Sequence, residues 1–239
     1  MIDSAPRSTS VVDKPIRDRF RIRFAKTGLL RWIGHHDLQR LWERLLRRNG
    51  LPLLISSGFH PRPRISFPSA LSLGVEGLDE VVEIELTQPI SAEALREILM
   101  DDHQPGLAIG DVTLMSVNGG NGGGSAISPG LNKAKHHSSD YEIEIPEEFD
   151  LARIDAAVEF AQTLTTITVE RKEKVVSATI MDVFPSLSRR GRLLCVNQLE
   201  IAGASLKITD LLDAVHLTDL MPAGAIIRRT RLYLTDQLP

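Results

Sequence analysis

The stretch at 118–139, NGGNGGGSAISPGLNKAKHHSS, divides this chain. Its glycines and serines present no apolar face to bury, so it reads as a flexible linker holding His136 and His137. Folding must therefore happen on either side of it, in 17–117 and 140–239, behind a polar tail at 1–16. Each side is long enough for one small domain.

The first half opens with Phe20-Arg-Ile-Arg-Phe24, a period-2 strand with arginines on its open face. Leu38, Leu41, Trp42, Leu45 and Leu46 then recur at helical spacing, with Asp37 as the expected cap and Asn49-Gly50 as the stop. Strands are expected at Leu53–Ile55, Ile65–Leu73 and Val81–Leu86, with a turn at Gly74–Asp79. A helix capped by Ser91 and a strand at Leu107–Val117 complete the half.

The second half repeats the pattern. It has a strand at Tyr141–Ile145 and a helix capped by Asp150. A strand from Thr166 to Arg171 is followed by a second piece at Val176–Val183. A turn at Ser188–Arg192 leads to a strand to Ile201, then a helix capped by Ser205 or Thr209, and a last strand at Ala225–Leu234. The reading is α+β: two tandem ferredoxin-like (β-α-β-β-α-β) domains, antiparallel sheets with helices on one face.

The net charge of −3 hides a lopsided distribution. From Arg17 to Arg64 there are twelve Lys/Arg and three Asp/Glu, giving +9; from Ile65 to Met115 there is one Arg and ten Asp/Glu, giving −9. The basic block points to an anionic partner unless the acidic block lies against it in the fold. The single cysteine, Cys195, excludes an internal disulfide and a three-cysteine cluster, and its apolar strand predicts burial. With no apolar leader and no run long enough to span a bilayer, a cytoplasmic protein without membrane contact is expected.

Three clusters bear chemistry. Lys26, Arg31, His35, His36 and Asp37 surround a helix start, where backbone N–H groups favour an anion and a His–Asp neighbourhood can supply a base. Arg40, Arg44, Arg47 and Arg48 occupy the helix's polar face. In Gly58-Phe-His-Pro-Arg-Pro-Arg64 the prolines fix φ and hold His60, Arg62 and Arg64 in an extended comb suited to phosphates. Phe59 and Phe67 can stack on bases or join a core. In the last strand, alternation sends Arg229 and Arg231 to one face and Arg228 to the other. No metal site is expected.

Lys26-Thr-Gly28, Arg31, His35-His36-Asp37, Ser57-Gly-Phe59-x-Pro61-x-Pro63-x-Ile65-Ser66, Leu73-Gly-Val-Glu76 and Arg229-Thr-Arg231 together resemble the radical-SAM-linked family, domains fused to or encoded beside radical SAM enzymes. The resemblance implies a partner radical SAM enzyme acting in trans, which would carry the [4Fe–4S] cluster and S-adenosylmethionine. This chain itself would hold no cofactor. RNA modification is the implied setting, and no residue inherits a catalytic role. The tandem layout is also similar to that of CRISPR repeat-processing RNA endonucleases, a likeness of fold pattern alone.

The leading expectation is a non-catalytic RNA-binding accessory protein. The alternatives are a metal-independent endonuclease with His35 or His36 as base, and a protein-docking module indifferent to nucleic acid.

Overall fold

The computed structural model describes residues 17–118, 133–171, 174–202 and 205–237. The fold is mixed α+β, with a mostly antiparallel sheet and five α-helices among the described residues. No helix there is long and apolar enough to cross a membrane.

In the first half β1 (Arg17–Lys26) leads to α1 (His35–Arg48), β2 (Ile65–Ser66), β3 (Glu76–Leu86), α2 (Ala92–Asp101) and β4 (Leu107–Asn118). In the second, β5 (His136–Glu144) leads to α3 (Leu151–Thr163) and a hairpin of β6 (Thr166–Arg171) and β7 (Lys174–Thr179). After these come α4 (Ile180–Val183), β8 (Ser186–Arg190), β9 (Leu193–Leu199), α5 (Ile208–Ala214) and β10 (Ile226–Leu234).

The strands form one sheet in the order β4-β1-β3-β10-β5-β9-β8, with β2 also on β3, while β6 and β7 pair separately. The halves join at the parallel pairing of β3 with β10, which spans only Arg228↔Glu76 and Arg229↔Gly77. Farther along the same edge β3 pairs with β2 at Ile84 and Glu83.

The apolar stripe of α1 is buried as its spacing predicts, and with Leu95 and Leu99 of α2 it covers Phe20, Ile22, Phe24, Val82, Ile84 and Leu86. A second core packs α3 and α5 onto Ile143, Leu194, Val196 and Ile227. Ser91 and Asp150 cap their helices, their side chains accepting from the backbone N–H of Ala94 and Ala152.

The other face of β1 is not open. Arg19 and Arg21 pair with Glu85 and Glu83 at 3.1 and 2.9 Å, and Arg23 reaches Asp79 at 2.7 Å. The terminal 3-10 turn, Thr235–Gln237, reaches the last two: Asp236 accepts from Arg21 and Gln237 from Arg23. Three arginines of the basic block are thus matched by acids of the acidic one across the β1–β3 ladder, Arg19 and Arg21 by the residues directly opposite them.

Several expectations fail for local reasons. Leu53–Ile55 makes only isolated bridges, and the strand expected at Ile65–Leu73 stops at Ser66, because Pro52, Pro63 and Pro68 cannot donate to a ladder. The expected turn at Gly74–Asp79 shrinks to Gly74, at φ +82°, since β3 starts at Glu76. Helix α1 starts two residues before Asp37, with Gly34 as N-cap, and Asp37 instead pairs with Arg40. In α5 the N-cap is Lys207, whose N–H donates to Asp210, rather than Ser205 or Thr209. His136 and His137 begin β5 rather than lying in a linker; residues 119–132 of that stretch are outside the described set. A register shift between Arg229 and Arg231 breaks the alternation of β10, so Arg229 is buried and Arg231 exposed. Cys195 is half-buried, not enclosed.

At the seam, Arg229 is 2% exposed and forks onto Glu80, with Nε to Oε1 at 2.7 Å, while donating to Ser69 Oγ at 2.9 Å. Removing one partner of a buried pair leaves an uncompensated charge. Arg229→Met is expected to lower stability by about 3–5 kcal/mol in urea denaturation, and adding Glu80→Gln to restore most of that loss. An additive double variant would mean the pair is not the source of the effect.

Candidate functional site

The proline-bearing segment builds a closed loop on the edge of β3. Leu54 N–H donates to Glu85 O, and Glu85 N–H to Arg64 O. Arg64 N–H returns to Leu54 O at 2.8 Å and Ser56 N–H to Arg62 O at 2.8 Å, while Arg62 N–H meets Ser56 Oγ at 3.0 Å. These bonds clamp the base of a tip at 57–61. Gly58 takes φ +147°, which L side chains rarely adopt, and Pro61 and Pro63 fix the returning arm. Phe59 stands fully exposed at the tip, with His60 beside it.

Beneath the loop is a cleft of about 180 Å³. Arg19, Arg62, Arg64 and Lys133 line it, against two carboxylates, Glu83 and Glu85, for a lining charge of +2. Both carboxylates are already engaged: Glu83 by Arg21 and the N–H of Ala134, Glu85 by Arg19. Arg62 and Arg64 meet no acid or carbonyl among the described residues, and Ser56, Ser66 and Gln39 add polar groups. The arrangement can receive an anion in bidentate fashion.

The helix face is less available. Arg40 pairs with Asp37, Arg47 with Glu43 at 2.7 Å and Arg48 with Asp102 at 2.5 Å. Bonded to Arg48, the Asp102 carboxyl is held below its usual range. Arg44 is exposed without a partner among the described residues. Arg231 lies over the Tyr233 ring at 5.7 Å.

Lys26, Arg31 and Arg229 gather at the seam instead. Lys26 is 1% exposed and donates to Ile33 O at 3.1 Å; burial lowers its pKa, Glu80 opposing and Arg229 reinforcing that shift. Glu76 accepts from Gly28 N–H at 2.9 Å and pairs with Arg228 at 3.2 Å and, more loosely, Arg31 at 3.6 Å. Arg31 also stacks over Trp32. Burial works against the charge on Arg229, but Glu80 and Tyr141 outweigh it and raise its pKa. Sequence reasoning missed Glu80 as a seam residue. Its signal was an acid at the inward register of β3, the face of Val82, Ile84 and Leu86, which requires a buried cation.

Neither His35 nor His36 pairs with a carboxylate among the described residues. His35 meets the edge of Phe67 at 5.3 Å and His36 at 6.0 Å, and burial first, then His36 and Lys26, lowers its pKa. Phe67 also packs edge-on to Phe24, so its role is core. Among the described residues no group of three or more His, Cys, Asp or Glu is placed to hold a metal ion. His136 Nε2 lies 2.8 Å from Ser139 Oγ and Nδ1 3.1 Å from Glu200, the order of a nucleophile, base and acid. Ser139 is 0% exposed, however, and no substrate can reach it.

A family model described as "Uncharacterized protein conserved in bacteria (DUF2344)" matches residues 19–208, and the chain belongs to that family. The match runs from β1 to the start of α5 and includes the whole loop and cleft. No curated protein matches the chain.

Burial holds His35 and His136 below the ordinary histidine value of 6.5. The unfolded chain then binds more protons once pH drops below that value, so the stability they contribute is complete above it and is lost as pH falls through it. Asp18 and Asp79, raised by burial from 3.8, act in the opposite sense at lower pH. The melting temperature is expected to fall between about pH 7 and about pH 5.5, and less so in a His35→Gln/His136→Gln variant. Equal slopes would show that neither imidazole is linked to folding.

Proposed function

We propose that this protein binds RNA through the loop and cleft of 54–66 and serves, without catalysis of its own, as an accessory to a radical SAM enzyme that modifies the bound RNA. The observation that carries the reading is that Arg62 and Arg64 face a positively lined cleft with no partner among the described residues, while most described arginines of β1, α1 and β10 are engaged by acids, carbonyls or rings. A protein that neutralises its arginines so widely exposes two beside each other on a proline-fixed arm for an external anion.

The resemblance of the Lys26–Glu76 motifs to the radical-SAM-linked family supports the partnership. The three cysteines of such a cluster would come from the partner enzyme, since this chain has only Cys195. We further propose that each half is a ferredoxin-like unit. Support comes from the equivalent strand orders β4-β1-β3-β2 and β10-β5-β9-β8, with the β6–β7 hairpin and α4 as an insertion in the second.

The test is binding of labelled transfer and ribosomal RNA fragments across a salt series. Affinity is expected to fall linearly on a log–log plot. Arg62→Ala/Arg64→Ala is expected to weaken binding and to flatten the slope by about 0.7 for each single-strand phosphate that is no longer neutralised. Binding that ignores salt or the double variant would overturn the reading.

A further inference from the structure

We infer that the RNA recognised at this site is single-stranded, with Phe59 stacking on an unpaired base while Arg62 and Arg64 hold the neighbouring phosphates. The inference rests on the RNA-binding reading and names the form of the ligand.

The carrying feature is the juxtaposition, on one clamped loop, of a fully exposed aromatic ring with two guanidinium groups that have no partner among the described residues. Phe59 and Arg62 are three positions apart, so their Cα atoms lie within about 10 Å even if the chain between them is extended. A phenylalanine at 101% exposure contributes nothing to a core. Of the other large apolar groups of this region, Phe67 and Ile65 are packed against Phe24, His35 and the first core, while Ile55 is 45% exposed. Gly58 at φ +147°, the Ser56–Arg62 bonds and Pro61 hold Phe59 outward.

The chemistry of the three side chains selects the ligand. An aromatic face binds a base only when the base's own face is uncovered, and in a duplex it is covered by its neighbours. Phosphates alone would need the arginines and not the ring; an apolar partner would need the ring and not the arginines. A single strand offers both, a π-face and phosphates along the adjoining backbone. Stacking of this kind tolerates any base, so affinity should depend on strandedness more than on sequence. The fixed loop also reduces the conformational freedom lost on binding, which makes its backbone part of the site.

The experiment compares a fluorescein-labelled oligoribonucleotide, single-stranded and annealed to its complement, by polarisation with the full chain. The single strand is expected to bind at least about tenfold more tightly. Phe59→Ala should weaken single-strand binding by about five- to a hundredfold, leave duplex binding unchanged, and be rescued by Phe59→Trp. Because Phe59 is wholly exposed, these variants leave the fold intact, which an unchanged melting temperature verifies. Salt- and arginine-dependent binding that treats both forms alike and ignores Phe59→Ala overturns this inference alone. Absence of binding to either form, or binding indifferent to Arg62→Ala/Arg64→Ala, overturns the RNA-binding reading and the inference with it.

Discussion

The Arg229–Glu80 pair sits where the two halves of the sheet meet, and the rest of the structure is arranged around keeping both charges satisfied. The parallel contact of β3 with β10 is only two residue pairs long. A seam that short has few backbone bonds to define its register. The fork of Arg229 onto Glu80, with Ser69 on the third nitrogen, and the pairing of Arg228 with Glu76 supply the missing specificity. Burying ions is seldom a gain over burying methyl groups, so the cluster makes best sense as a device for joining the halves in one way. Lys26 and Gly28, from the turn after β1, bring the first half's own motif to the same seam.

The division of β3 between two neighbours follows from this. Near Glu76 its edge belongs to β10, and near Glu83 to β2. The loop before β2 is too rich in proline to form a continuous strand, so it leaves the sheet and closes on itself. Its arginines line a cleft beside Glu83 and Glu85, whose carboxylates are already held by Arg21 and Arg19. Pro63, one of the prolines that interrupt the expected strands, lines the cleft.

The two opposed charge blocks were visible in the chain, but their meaning depended on pairing. Arg19, Arg21 and Arg23 looked like an open basic face and are in fact matched one by one with β3, and the terminal turn reaches Arg21 and Arg23. Arg62 and Arg64, in the same block, were left unmatched. Only the register of β1 on β3 distinguishes them, since it sets which acid faces which base.

The sequence by itself determined the elements whose signals are local. The stripe of α1, the caps at Ser91 and Asp150, the alternation of β1 and the stop at Asn49-Gly50 each depend on residues within a few positions of one another, and propensity and periodicity decide them. The exposure of the proline-fixed comb was legible for the same reason. Tertiary structure alone decided the seam, the burial of Lys26 and Arg229, and the bulge that separates Arg229 from Arg231. Those outcomes rest on partners up to 160 positions apart, as Ser69 is from Arg229. No local pattern encodes such a distance. The desolvation of a charge is settled only when the chain brings its counter-charge to it.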